Sequence, residues 1–167
     1  KFNEAKRSGE IVELLQGGGT VAMVSDAGSP GISDPGQRLV AAVIVAGCRV
    51  ETVPGACALV VALTASGLAT DEFHFVGFLP VKSGQRARRL TTLLELPGTL
   101  ALYESPYRVV KLLRELAKVA PGRPVVLARE LTKKFEQIQR GLPVELLAEY
   151  TDRKPKGEFV VLVGRAD

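Results

Sequence analysis

Between Thr20 and Gly36 the chain reads TVAMVSDAGSPGISDPG, an apolar run that empties into small, turn-forming residues. A loop of this composition does chemistry through its backbone. Gly28, Gly31 and Gly36 permit conformations and close ligand approach that a Cβ would obstruct, while Pro30 and Pro35 fix φ and remove donors. Asp26 offers a carboxylate to a cationic group or, alternatively, an Asx bond that caps the turn. A second small-residue turn, Pro54-Gly55 followed by Ala56, Cys57 and Ala58, opens a helix and sets its first N–H groups beside Gly55. Further on, charges gather where strands should end: Glu104 and Arg108 in YESPYR, then Arg129, Glu130, Lys133 and Lys134 in ARELTKKFE. Ion pairing among themselves and substrate contact are both open to these groups. His74, the only histidine, lies within FHFVGF, where strand alternation favours a structural place over that of a general base. Cys57 has no histidine near it in sequence and reads as a small buried thiol, not a nucleophile.

The elements that must position these residues alternate between helix and strand. Glu4 to Gln16 is expected to be an amphipathic helix ended by Gly17-Gly18-Gly19, and Val21 to Ser25 a strand buried on both faces. A helix over Arg38 to Ala46, a strand over Arg49 to Val53 and a helix over Ala56 to Ser66 follow. Phe73 to Phe78 is the third strand. Apolar density then falls in GFLPVKSGQRARR, which places a domain junction near Leu79 and Pro80. Beyond it come a helix from Gln85 to Leu94, a strand from Thr99 to Glu104, a helix from Tyr107 to Ala120 and a strand from Pro124 to Arg129. A strand from Glu136 to Arg140, a short helix from Val144 to Tyr150 and a strand from Glu158 to Val163 complete the series. The pattern is α/β throughout, with no repeat period. In open α/β sheets, loops at the carboxyl ends of strands are where ligands bind.

Composition narrows the function class. With 167 residues the chain buries a good core as one domain or two small ones. Its 46% hydrophobic and 24% charged content is that of a globular protein, and Gly, Pro or charge interrupts each apolar stretch before it reaches membrane-spanning length. No secretory signal is read at the start, and Cys48 and Cys57 lack metal-ligand spacing, so reduced thiols, a cytoplasmic location and no metal site are expected. The charge of +4 is modest, but KSGQRARR and LTKKFEQIQR concentrate it. Each segment reads as a solvated helix face or as a contact for a polyanion.

The motifs DAGSPGISDPG, VPGACAL, GFLP, YESPYR, ARELTKKFE and KGEFVVLVG stand in the order and spacing of the ribosomal RNA small subunit methyltransferase I family, in the tetrapyrrole methylase superfamily. The resemblance runs from Asn3 to Gly164. It implies two α/β domains, here 1–79 and 80–167, with a cleft between them that holds S-adenosylmethionine, and no GxGxxG motif. It also implies a further strand and a PTPIGN-type loop before Lys1 and a continuation after the last strand, so the first domain is expected to be incomplete and activity of this piece is open.

Carried over by position, the resemblance puts Asp26, Ala27, Gly28, Ser29, Pro30, Ile32, Ser33 and Asp34 in the first donor loop. It puts Gly55, Ala56, Cys57 and Ala58 in the second, and Tyr103 and Ala128 at the edges that close over the adenine. Tyr103 stacks there or fills core. Arg86, Arg88, Arg89, Arg108, Lys133 and Lys134 are the implied RNA contacts, and Lys133 or Lys134, if desolvated, can assist deprotonation. The implied reaction is 2′-O-methylation of a cytidine ribose in 16S rRNA of the 30S subunit, by a homodimer. The general base is not identified by the sequence. Two alternatives stay open: methylation of a porphyrin or corrin precursor, and a non-catalytic nucleotide-binding or dimerisation module. The SDAGSPG loop and ARELTKKFE favour the RNA branch over the first, since tetrapyrrole enzymes usually carry a GDP-type loop.

Overall fold

The computed structural model describes residues 4–151 and 155–165; residues 1–3, 152–154 and 166–167, which include the start of the family resemblance at Asn3, lie outside it. The chain divides into two compact units, Lys1–Cys57 and Ala58–Asp167. This division falls well before the junction expected near Leu79. Phe73–Phe78 is hydrogen-bonded to Thr99–Glu104 and so belongs to the sheet of the second unit.

In the first unit, α1 (Glu4–Gln16) packs against α2 (Gln37–Val45). Helix α1 closes as its glycine run dictates: Gly17, Gly18 and Gly19 donate to the Glu13, Leu15 and Leu14 carbonyls at 3.0 Å, with Gly18 at φ 88°. Neither strand expected here forms; among the described residues of this unit, none is paired in a ladder. An isolated extended segment leaves its N–H and C=O groups without the partners that define a strand. Val24, expected inside, is 85% exposed, and Val53 is 89% exposed.

The second unit opens with α3 (Ala58–Ser66) and continues as β1 (Phe73–Phe78), α4 (Ser83–Leu94), β2 (Thr99–Glu104), α5 (Val109–Val119), β3 (Val125–Arg129), β4 (Gln137–Gly141), α6 (Pro143–Thr151) and β5 (Phe159–Val163). The five strands form one mixed sheet in the order β1-β2-β5-β3-β4. β1 and β2 are parallel, and β5 runs antiparallel to both β2 and β3, as β4 does to β3. The carboxyl ends of β1, β2 and β3 therefore share one edge with the amino ends of β4 and β5.

The core explains the order of elements. Val109, Leu112, Leu113 and Leu116 form one face of α5 at i, i+3, i+4 and i+7, all buried. They pack with Leu90 and Leu93 of α4, Leu146 and Tyr150 of α6, and the alternate sheet residues Leu100, Leu102, Val125, Leu127, Phe159, Val161 and Val163. The other sheet face buries Ala101, Val126, Val160 and Leu162 as well, with α3 packed on β5. Burial on both faces is why β2, β3 and β5 read as unbroken apolar runs. Arg140 fastens α3 to the sheet, donating from Nε to the Ser66 carbonyl at 2.9 Å and from Nη2 to the Ala65 carbonyl. A cation at a helix C-terminus satisfies carbonyls left without intrahelical donors.

Candidate functional site

The first candidate is the glycine loop of the first unit. Four left-handed positions fall within nine residues: Gly28 at φ 74°, Gly31 at 84°, Ser33 at 59° and Gly36 at 138°. The Ser25 hydroxyl donates to the Gly28 carbonyl at 2.8 Å and closes the turn, and the Asx bond that was the alternative role of Asp26 does not form. Asp26 itself is exposed, with no side-chain hydrogen bond or ion pair among the described residues. Ala27, Ile32, Ser33 and Asp34 are also exposed; Ser29 and Pro30 are half-buried.

The two small-residue turns meet. A Cβ on Gly28 would stand 3.3 Å from the Ala56 carbonyl, and one on Gly55 would stand 3.7 Å from Ser29 Oγ. Gly28 is thus required twice, for its φ and for this close approach. Gly55 and Ala56 are exposed and Cys57 is half-buried, while Ala58 begins α3 in the second unit. Among the described residues, no N–H of residues 26–34 donates a backbone hydrogen bond. The arrangement is a shelf of free backbone donors with an unpaired carboxylate at its rim, suited to an anionic and a cationic group on one small ligand.

The second candidate is the shared sheet edge of the second unit, where register aligns Glu104, Phe159, Arg129 and Gln137. The Glu104 carboxyl is buried, with 1% of its surface exposed. Its Oε1 accepts the Ser105 N–H at 2.8 Å and lies 3.2 Å from Arg108 Nε, while Oε2 has no partner. Burial pushes this carboxyl above the usual carboxylate range, outweighing the Ser105 N–H and the nearby Arg108 and Arg86 that pull it down. Arg108 also donates from Nη2 to the Leu79 and Pro80 carbonyls at 2.7 and 3.3 Å. It clamps the segment after β1 and makes, with Glu104, the ion pairing expected as one of its two roles.

The loop after β3 is held in an unusual shape by side chains. Glu130 and Thr132 adopt φ 48° and 63°, left-handed values rare outside glycine. Glu130 Oε1 accepts the Glu158 N–H at 3.2 Å and the Lys133 ammonium at 3.3 Å, and Glu136 Oε2 accepts the Thr132 N–H at 2.6 Å. The Glu158 N–H, then Lys133 and Arg129, hold the Glu130 carboxyl below its usual range. Arg129 spends its two terminal nitrogens on the Lys156 and Phe135 carbonyls. Backbone strain of this kind persists where its surroundings over-determine it, commonly at functional sites.

Other expectations change with the structure. Arg86 is buried, binding Glu115 through Nε at 2.8 Å and Nη2 at 2.6 Å, so it pins α4 to α5 and faces no phosphate. Its position was readable, since Arg86 shares the helical face of Leu90 and Leu93. Arg88 and Arg89 are exposed, as are Lys133 and Lys134. Ala128 lies inside the ladder with its side chain buried, one residue short of the edge. Tyr103 is half-buried, edge-on to Phe75 and Phe78 at 4.8 and 5.9 Å. His74 lies near the amino end of β1, four residues from the candidate edge and so about 13 Å away, beside Glu72. Arg123, which the sequence did not single out, is buried and donates to the Gly164 and Leu94 carbonyls; burial lowers its pKa. Among the described residues no group of three or more His, Cys, Asp or Glu is placed to hold a metal, and no helix is long and apolar enough to cross a membrane.

Comparison with known proteins agrees with the motifs. Residues 1–146 match the family Tetrapyrrole (Corrin/Porphyrin) Methylases. The chain is 47% identical to ribosomal RNA small subunit methyltransferase I of Coprothermobacter proteolyticus, over 97% of this chain and 73% of that protein. The chain belongs to the ribosomal RNA small subunit methyltransferase I family. Members from Micromonospora olivasterospora and Pseudomonas aeruginosa are 46% and 47% identical over 96% and 98% of this chain, which spans 52% and 59% of their lengths. The chain thus spans little more than half of several of the relatives it matches. Among solved structures, diphthine synthase and the methyltransferase CobJ share the fold, with TM-scores of 0.73 and 0.71 at 14% and 24% identity. They cover 98% of this chain in each case, which in turn covers 66% and 72% of theirs. A uroporphyrin-III C-methyl transferase from Thermus thermophilus complexed with S-adenyl homocysteine is similar over 82% of this chain and 62% of that one, with a TM-score of 0.55 and 23% identity.

Proposed function

We propose that this chain carries the S-adenosylmethionine-binding and RNA-facing parts of a methyltransferase that acts on the 2′-hydroxyl of a cytidine ribose in 16S rRNA of the small ribosomal subunit. The observation that carries the reading is the abutting of Gly28 on Ala56, which joins the two small-residue turns into one cradle that a Cβ would fill. Near-complete coverage of this chain by ribosomal RNA small subunit methyltransferase I relatives supports the acceptor.

The residues present fit the donor. Bound there, S-adenosylmethionine supplies an electrophilic methyl group, and the protein's task is largely to position and to exclude water. Asp26 pairs with the donor's ammonium, and the N–H groups of Ala27 to Ser29 meet its carboxylate. Ile32 covers an apolar face; Ser33 and Asp34 serve the ribose. Gly55, Ala56, Cys57 and Ala58 contribute smallness, leaving room for the adenosyl group. Arg88, Arg89, Lys133 and Lys134 meet phosphates. Lys133, held by Glu130, is the group we assign to steering the acceptor ribose. A homodimer is part of the reading, with the exposed Ile44 and Val45 of α2 as the candidate contact.

Tritiated-methyl transfer to unmodified 30S subunits, mapped by reverse-transcription stops, tests the proposal with a full-length relative as control. Label at one cytidine ribose supports it. Label on a porphyrin precursor but not on 30S subunits transfers the reading to the tetrapyrrole alternative.

A further inference from the structure

Exposed aromatic rings concentrate at the candidate edge of the second unit. The chain has 6 Phe and 3 Tyr. Among the described residues, three of these rings are more than half uncovered: Phe78 is 54% exposed, Tyr107 87% and Phe135 66%, while Phe73, at the opposite end of β1, is 42% exposed. Phe78 ends β1, Tyr107 stands in the turn between β2 and α5, and Phe135 lies in the loop between β3 and β4. All three therefore belong to the edge where β1, β2 and β3 end. Five strands at about 4.8 Å spacing make that edge about 19 Å across, room for several stacked bases.

The charges around the rings are sorted. Three carboxylates at the edge are turned onto backbone N–H groups: Glu104 on Ser105, Glu130 on Glu158 and Glu136 on Thr132. Glu158 is exposed near Lys156. Lys82, Lys133 and Lys134 are exposed, and the Lys134 ammonium stands 5.7 Å from the centre of the Phe135 ring. Aromatic faces interleaved with cations bind unpaired nucleic acid, because each base offers a π-face and each phosphate a charge. A hydrophobic protein partner would not need the cations, and a duplex would leave the rings unused.

We propose that Phe78, Tyr107 and Phe135 form a stacking platform for unpaired bases of the RNA substrate, flanked by Lys82, Lys133 and Lys134 on the phosphates. This rests on the RNA reading above and names the form of RNA it takes: a single-stranded segment, its bases splayed from pairing. Phe78 also touches Tyr103, so the test uses the more exposed pair.

Fluorescence anisotropy of the full chain with a labelled oligocytidine of about ten nucleotides, and with its duplex, reads the platform directly. Tyr107→Ala and Phe135→Ala are each expected to weaken single-strand binding about tenfold with the salt dependence of affinity unchanged, and Tyr107→Phe to restore it. Lys133→Ala with Lys134→Ala is expected to flatten the salt slope instead. Equal affinity of the alanine variants and the unaltered chain for the single strand overturns the platform. So does preference for duplex, or loss of self-association in sedimentation without loss of RNA affinity, which would make the face an interface between copies. Failure of methyl transfer to 30S subunits while the ring-dependent single-strand binding holds would strike the acceptor reading and leave the platform. Transfer that survives both alanine variants with unchanged oligonucleotide affinity would do the reverse.

Discussion

Two loops of this chain adopt left-handed backbone by opposite means. Residues 26–36 do so mainly with glycine, at Gly28, Gly31 and Gly36, and have almost no side-chain fastening beyond Ser25. Residues 130–136 do so at Glu130 and Thr132, which no glycine preference assists, and are tied by Glu130, Glu136 and Arg129 to backbone groups. The first loop leaves its N–H groups without backbone partners, and the second consumes its carboxylates in holding its own shape. Their settings differ as well. The glycine loop hangs between two helices in a unit without a described ladder, whereas the charged loop joins two strands of a five-stranded sheet with a buried core. Binding by backbone asks for open, small turns; presenting side chains asks for a frame.

The largest test of that contrast is packing. Leu116→Ala, in the centre of the second unit's core, should cost about 2–5 kcal/mol in urea unfolding, while Val53→Ala in the first unit should change stability by less than about 0.5 kcal/mol. A large cost at Val53 would break the comparison. Next is Arg86→Met, which leaves Glu115 without its bidentate partner between α4 and α5 and should cost about 2–3 kcal/mol by the same measurement. Arg88→Met, on the exposed side of that helix, should be nearly silent.

Gly28→Ala comes third. Left-handed strain of about 1–2 kcal/mol, added to a contact with the Ala56 carbonyl, should reduce S-adenosylhomocysteine affinity about tenfold or more in calorimetry. Smallest are the pH effects, which have opposite signs in the two carboxyls of the frame. Glu130 is depressed, so its contribution is present above the ordinary carboxylate range and disappears as pH falls through its folded value. Glu104 is raised, so its protonated form suits the fold, and stability is lost as pH rises from the ordinary range through its folded value. In melting curves across that range, Glu130→Gln should lose its disadvantage as the solution is acidified. Glu104→Gln should gain on the unaltered chain as it is made alkaline.

How much the sequence disclosed follows the same division. Each strand of the second unit stands within one residue of its expected bounds, because runs such as TLALYE and FVVLV lie between turn residues and find partners within the chain. Val21 to Ser25 carries a like apolar run and Arg49 to Val53 an alternation, yet neither forms a ladder, since a local pattern shows readiness for a sheet and says nothing of who pairs. The thin apolar density of GFLPVKSGQRARR coincides with the connection from β1 into the first turns of α4, whereas the division between the compact units falls at Cys57 and Ala58. Among the site residues, the meeting of Gly28 with Ala56 was legible only as two separate turns. The left-handed Glu130 and the exposed ring of Tyr107 had no local signature, because one depends on Gly157 and Glu158 from another loop and the other on what fails to cover it.

The donor site we propose requires the open glycine turns to hold a sulfonium nucleoside through their backbone and Asp26. Titration calorimetry of the chain with S-adenosylmethionine and S-adenosylhomocysteine measures this most directly, with Gly28→Val and Asp26→Asn in parallel. Saturable heat that Gly28→Val abolishes, with Asp26→Asn weakening both ligands through their shared amino group, is the predicted result. Binding that neither substitution disturbs, or no heat with either ligand, would contradict it.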